Sequence, residues 1–141
     1  IPTILDYRNL IEAKSLLNTP PVFAIYASML TLRWIKKEGG LRVMERRTQE
    51  RADLFYETLD SLPAFEGKVV RQDRSLMNAT FLTTKPEHEQ LFLDECKQNG
   101  MVGVKGHRSV GGLRVSMYNA LPLSSVKVLC DLMKDFSDKH S

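Results

Sequence analysis

The sequence predicts an α+β fold, a small β-sheet packed with helices. Two patterns support this prediction. Residues 41–62 and 123–138 repeat apolar side chains every three or four positions, as amphipathic helices do. Residues 76–83 alternate apolar with polar side chains, as a half-buried strand does. The predicted elements follow in the order helix, helix, strand, helix, strand, strand, helix, which is typical of helices packed against one small sheet.

The first predicted helix begins at Asn18-Thr19-Pro20-Pro21, because Asn or Thr can cap free backbone N–H groups and proline fits a first turn. It runs to about residue 38 and ends at Gly39-Gly40, where glycine permits a left-handed exit. Residues 1–17 show no clean period and are interpreted as a connecting arm. The large apolar residues of this helix are interpreted as core rather than as a stacking platform: Phe23, Ile25, Tyr26 and Trp34.

The second predicted helix covers residues 41–62 and ends at Pro63. The charged residues between Arg42 and Arg51 are expected on its solvated face. Thr84 and Glu87 have the spacing of a capping box, so a third helix is predicted over residues 86–99. The last helix is predicted over residues 123–138. Short strands are predicted at residues 69–70, 76–83, 101–104 and 113–117.

Composition restricts the class of protein. The chain has 141 residues, of which 43% are hydrophobic and 26% charged, as expected for one soluble globular domain. Its net charge is only +3, and no basic stripe interleaved with aromatics indicates a nucleic-acid binder. The longest apolar stretch, residues 21–32, is too short to span a membrane. Cys96 and Cys130 lie in predicted helices, which favours buried reduced thiols of a cytosolic protein over a disulfide.

The most informative segment for function is residues 100–120. No acidic residue occurs between Glu95 and Asp131, whereas the cations Lys105, Arg108 and Arg114 lie there with His107 and several glycines. Glycine lets a backbone approach a ligand closely, and guanidinium groups fork onto carboxylates or phosphates. The segment therefore predicts a pocket for a small, doubly anionic ligand. Composition alone leaves an alternative open, a solvated basic loop whose glycines only make turns.

Asn18-Thr19-Pro20-Pro21 is the second candidate anion site. A helix N-terminus offers unpaired N–H groups to a phosphate. On local evidence, ordinary helix capping is the favoured interpretation of these residues. The three histidines show no metal-ligand spacing with the cysteines, so no metal site is predicted.

Two longer motifs carry a family resemblance. Residues 15–21, Ser-Leu-Leu-Asn-Thr-Pro-Pro, and residues 106–114, Gly-His-Arg-Ser-Val-Gly-Gly-Leu-Arg, closely resemble the phosphoserine aminotransferase family. Residues 74–78 and 118–122 match the same family in the expected order. The resemblance covers essentially the whole chain and corresponds to the C-terminal portion of such enzymes. Because the chain also begins with Ile1 rather than Met, we expect a fragment or processed product.

The resemblance implies a class V, fold-type I enzyme that uses pyridoxal phosphate (PLP) and works as a cytoplasmic homodimer. Such enzymes exchange an amino group between glutamate and 3-phosphohydroxypyruvate, giving 2-oxoglutarate and O-phosphoserine in serine biosynthesis. Residues 1–20 would be an arm from an absent large PLP-binding domain, and residues 21–141 the small domain. Asn18 and Thr19 would hold the PLP phosphate of the partner subunit. His107 and Arg108 would bind the substrate phosphate or the glutamate side chain, and Arg114 the α-carboxylate.

The resemblance also implies that this chain cannot react alone. The family's Schiff-base lysine, cofactor-pairing aspartate and ring-stacking aromatic belong to the upstream domain, and neither Lys14 nor Lys105 has the context of that lysine. The chain is therefore expected to be inactive in isolation. A non-catalytic module that binds a small anionic metabolite is the main alternative, and a basic nucleic-acid binder is another. Within the aminotransferase interpretation, phosphohydroxythreonine stays open as a further substrate.

Overall fold

The protein is described by a computed structural model that covers residues 2–140. The chain divides between Gly40 and Leu41 into two compact units. The domain boundary predicted between residues 20 and 21 concerns the complete protein and stays a prediction.

The first unit is helical. A 3-10 turn at Thr3–Leu5 leads into α1, Tyr7–Glu12, and α2 spans Val22–Lys37. The predicted exit of α2 is confirmed, since Gly39 and Gly40 have φ of +108° and +80°. The Gly40 N–H donates to the Ile35 carbonyl at 2.9 Å. This bond closes the helix in the manner of a glycine C-cap.

The start of α2 differs from the prediction. Pro21 occupies the N-cap position, and no side chain caps the helix. The predicted cap by Asn18 or Thr19 is therefore wrong, because both residues precede the cap position. Each is exposed, and neither side chain makes a hydrogen bond within residues 2–140.

The second unit confirms the predicted α+β architecture. It contains α3 (Leu41–Ser61), β1 (Phe65–Gly67), β2 (Asn78–Thr83), α4 (His88–Gln98), β3 (Leu113–Ser116) and α5 (Leu123–His140). The three strands form one antiparallel sheet in the order β1-β2-β3. Helices α3 and α5 pack against each other, and α4 contacts both α5 and β2.

The core lies between the sheet and these helices. Ala79 and Phe81 of β2 are fully buried, while Asn78 and Thr80 on the opposite face are only half-buried. Phe81 meets Phe55 of α3 edge-to-face, with ring centroids 5.4 Å apart. Because the alternation of β2 matches this division, one face of the sheet is apolar and covered by helices, and the other is polar and open.

Three local predictions are wrong. The predicted strand at residues 69–70 lies instead at Phe65–Gly67, and a 3-10 turn follows at Arg71–Asp73. Residues 101–104 form no strand, and only an isolated bridge joins Lys105 to Leu113. The capping box before α4 is absent. The Thr84 hydroxyl donates to the Pro63 carbonyl at 3.1 Å, and Glu87, the N-cap residue, makes no hydrogen bond to the helix with its side chain.

Arg51 also departs from its predicted place on a solvated face. It is buried, with only 2% of its surface exposed. Its guanidinium donates to the Leu121 carbonyl at 3.1 Å and to the Thr48 hydroxyl at 3.0 Å. Burial lowers the pKa of this group, and the nearby charge of Arg47 adds to the effect. Arg51 therefore ties α3 to the loop that follows β3.

Candidate functional site

Strand β3 presents Arg114 on the open face of the sheet. Leu113 and Val115 on either side are buried in the core, so Arg114 points the opposite way, as the sequence predicted. Its Nε atom is buried and has no hydrogen-bond partner among residues 2–140. An unpaired buried donor is costly, so Arg114 is suited to receive an acceptor from a ligand.

A glycine-rich loop, residues 106–112, precedes β3 and is closed at its base. The Gly106 N–H donates to the Gly112 carbonyl at 2.7 Å, and the Arg114 N–H to the Val104 carbonyl, also at 2.7 Å. A Cβ at Gly106 would lie 2.6 Å from the Gly112 carbonyl oxygen. Gly112 has a φ of +70°, which side-chain-bearing residues rarely adopt. This loop geometry therefore requires glycine at both positions.

His107 and Arg108 lie at the exposed end of this loop. The His107 Nδ1 atom is 2.6 Å from the Ser109 hydroxyl and accepts from the Ser109 N–H at 3.3 Å. That N–H can only donate, so Nδ1 accepts it. The Nε2 atom has no hydrogen-bond partner among residues 2–140 and is available to a ligand. The Arg108 side chain makes no hydrogen bond or ion pair within the described chain.

Sequence reasoning missed Lys68, which follows β1. Its Nζ donates to the Val110 carbonyl at 2.5 Å and so anchors the loop that carries His107 and Arg108. This contact joins residues 42 positions apart, and no local pattern in the sequence indicates it.

A cavity of about 490 Å³ lies beside the same strand. Residues 100–104, the β3 residues Arg114 and Ser116, and α5 residues including Val126 and Leu129 line it. Its walls are mostly apolar side chains. Because apolar walls do not attract an anion, the candidate anion site is the glycine-rich loop with Arg114 on the open face of the sheet, rather than this cavity.

His107 and Arg108 lie in the loop directly before β3, the strand that carries Arg114. Asn18 and Thr19 belong to the other compact unit. Among residues 2–140, no group of three or more potential metal-ligating side chains occurs, and no helix is long and apolar enough to cross a membrane.

Comparison with known proteins identifies the family of this chain. The model of aminotransferase class-V matches residues 2–129. The chain belongs to the class-V aminotransferase family. It is 50% identical over 139 residues to a phosphoserine aminotransferase of Flavobacterium johnsoniae and 49% identical over 143 residues to that of Bacteroides thetaiotaomicron. In each case the alignment covers 99% of this chain, but only 39% and 40% of the relative.

Solved structures of phosphoserine aminotransferases are similar to this chain. A phosphoserine aminotransferase from Bacillus circulans subsp. alkalophilus superimposes with a TM-score of 0.89 at 40% identity, over all of this chain and 39% of that one. A PLP-bound phosphoserine aminotransferase from Trichomonas vaginalis gives a TM-score of 0.82 at 36% identity, over 95% of this chain and 39% of that one. This chain therefore has the fold of the matching part of this family and spans about two fifths of its relatives' length.

Proposed function

We propose that this chain is the C-terminal part of a phosphoserine aminotransferase. The complete protein would transfer an amino group between glutamate and 3-phosphohydroxypyruvate, with pyridoxal phosphate as cofactor, in serine biosynthesis. One observation supports this proposal above the others. The glycine-rich loop and β3 present His107, Arg108 and Arg114 without any acidic partner within the described residues. Three unneutralised donors in one segment suit a substrate that carries two anionic groups.

The donors divide the work by position. Arg108 and His107 lie at the exposed end of the loop, where they would bind the phosphate of O-phosphoserine or the side-chain carboxylate of glutamate. Arg114 lies on β3, which pairs with β2, and would bind the α-carboxylate, which every substrate carries. Binding at both anionic groups would fix the orientation of the substrate. Both amino-acid substrates carry two anionic groups, so the same site would serve both half-reactions.

The residues expected to contact the cofactor fit a phosphate group. Asn18 and Thr19 have an amide and a hydroxyl that neither cap α2 nor bond elsewhere among residues 2–140, and the uncapped helix start follows directly. When bound, pyridoxal phosphate supplies the electron sink for amino transfer. The proposal extends to a cytoplasmic homodimer, in which Asn18 and Thr19 hold the cofactor phosphate of the partner subunit.

The decisive experiment uses the complete protein, purified and supplied with pyridoxal phosphate. We expect O-phosphoserine and glutamate each to change the visible spectrum of the bound cofactor at micromolar to millimolar concentrations. The isolated 141-residue chain is the control, and we expect it to show no transamination. A complete protein that stays colourless would refute the enzyme proposal and favour a non-catalytic module that binds anionic metabolites. Transamination by the isolated chain would contradict the assignment of catalysis to the absent domain.

A further inference from the structure

The open face of the sheet carries two neighbouring cross-strand pairs of polar residues. The register places Asn78 opposite Ser116 and Thr80 opposite Arg114. Alternation along both strands directs all four side chains away from the helices. Side chains directly opposite in an antiparallel sheet have Cβ atoms about 4.5–5.5 Å apart. Each pair is therefore close enough to interact.

The two pairs differ in how their hydrogen bonds are satisfied. The Ser116 hydroxyl donates to the Asn78 Oδ1 atom at 3.0 Å, and the Asn78 amide donates to the Tyr118 hydroxyl at 3.4 Å. In contrast, the Thr80 hydroxyl makes no hydrogen bond within residues 2–140, and the Arg114 Nε atom is buried without a partner. In the first pair, Ser116 and Asn78 bond to each other. In the second pair, the Thr80 hydroxyl and the Arg114 Nε–H remain without an acceptor among the described residues.

We propose that Thr80 is a further substrate-binding residue, whose hydroxyl donates to the same carboxylate that Arg114 binds. This inference rests on the proposed function of Arg114 and extends it to a residue on a different strand. A carboxylate has two oxygens and about four acceptor sites, so it can accept from a guanidinium and a hydroxyl together. Such a ligand would satisfy both unused donors at once. Because every amino-acid and oxo-acid substrate carries this carboxylate, Thr80 acts in both half-reactions.

The test compares Thr80→Val with the wild type in the complete, cofactor-loaded protein. Valine keeps the shape and removes the hydroxyl. We expect KM to rise about tenfold for both O-phosphoserine and glutamate, with little change in kcat, because a hydrogen bond to a charged group is lost from binding. Thr80→Ser should restore KM. An unchanged KM in Thr80→Val, or an increase for one substrate only, would overturn the proposal.

The matched control is Ser116→Ala, on the same face but with its hydroxyl already bonded to Asn78. We expect its KM values to stay near wild type, and an equal increase would show a general effect of the face rather than a role of Thr80. A double variant separates the two further. In an Arg114→Ala background Thr80→Val should have little added effect, since both act on one carboxylate. Fully additive losses would contradict a shared ligand.

Thermal unfolding without substrate should be unchanged in Thr80→Val, which distinguishes a binding role from a structural one. If Thr80→Val is misfolded, Thr80→Ala takes its place, with the same expected rise in KM for both substrates and the same rescue by Thr80→Ser. A wild type that reacts with glutamate but not with O-phosphoserine would refute the phosphate part of the proposed function. The Thr80 comparison would then be made with glutamate alone.

Discussion

Arg108 and Arg114 are six positions apart, yet the structure gives them different surroundings. Arg108 is exposed at the end of a loop, and Arg114 is half-buried on a strand with one guanidinium nitrogen out of water. The fold therefore gives these two arginines different exposure, which the sequence alone does not show.

Replacing Arg108 by Ala in the complete protein should weaken the use of O-phosphoserine. We expect kcat/KM to fall about ten- to a hundredfold, since charge-assisted hydrogen bonds to the phosphate are lost. The kcat/KM for free alanine as a substrate, which lacks the phosphate, should fall much less. Steady-state kinetics with both substrates checks this. Unaltered kinetics with O-phosphoserine would rule out Arg108 as the phosphate ligand.

Cys96 and Cys130 are free and buried, which agrees with the predicted reduced thiols. Burial raises the pKa of Cys96 to about 11, and the charge of Glu95 adds to the effect. Only the thiolate reacts quickly, so Cys96 should resist alkylation by iodoacetamide at pH 8 until the protein unfolds. Mass spectrometry with and without denaturant measures this. Rapid labelling of the native protein would show that α4 opens readily.

At the scale of elements, an ion-pair cluster fixes the segment that leads into β2. Arg74 donates to both carboxylate oxygens of Asp60, at 2.8 and 2.7 Å, and lies 4.7 Å from the ring centre of Tyr56. The hydrogen bond from Arg74 lowers the pKa of Asp60 below its ordinary 3.8. This cluster joins α3 to the entry of β2, the strand that carries Thr80.

The cluster makes stability depend on pH in a defined direction. Because the pKa of Asp60 is depressed in the folded state, its contribution is complete above 3.8 and is lost as pH falls through the lower folded value. Asp60→Asn should lower the free energy of unfolding near pH 7 by about 1–2 kcal/mol. It should also lose less stability than wild type below pH 3.8.

Thermal unfolding of the complete protein between acid and neutral pH tests this prediction. Asp73→Asn is the matched control, since Asp73 is exposed nearby and bonds no arginine side chain in the part of the chain that the structure describes. Parallel pH profiles for wild type and Asp60→Asn would contradict the role of the cluster.

At the scale of the whole molecule, α2 is notable for large apolar side chains that are exposed. None of its residues is buried, and Phe23 is 84% exposed beside Val22, Ile25 and Tyr26. The interpretation of Phe23, Ile25, Tyr26 and Trp34 as core is wrong within this chain, since the first three are exposed and Trp34 is only half-buried. Contiguous apolar surface of this kind drives association.

The isolated chain should therefore self-associate. We expect sedimentation velocity to show species that grow with concentration, and Phe23→Ser with Leu32→Ser to shift the population toward monomer. Leu41→Ser is the control, because the exposure of Leu41, 78%, lies between those of Phe23 and Leu32, but Leu41 lies on α3. A chain that stays monomeric at high concentration would disprove this prediction.

Sequence patterns determined the long elements. The stripe on α5 places Val126, Met133 and Phe136 in the core as predicted, and the alternation in β2 divides the sheet into apolar and polar faces. Both depend on periodicity, which a sequence records directly. The anion site indicated by the glycine-rich segment stays a prediction.

Only the tertiary structure decided the contacts between distant residues. Three contacts join parts of the chain that lie far apart in sequence. They are the bond from buried Arg51 to Leu121, the bond from Lys68 to Val110, and the pairing of Thr80 with Arg114. Each depends on which strand and helix pack together, whereas periodicity reports only the face on which a side chain lies. The sequence by itself therefore determined the long helices and the alternating strand, because periodicity is local, and packing determined which side chains share a face of the sheet.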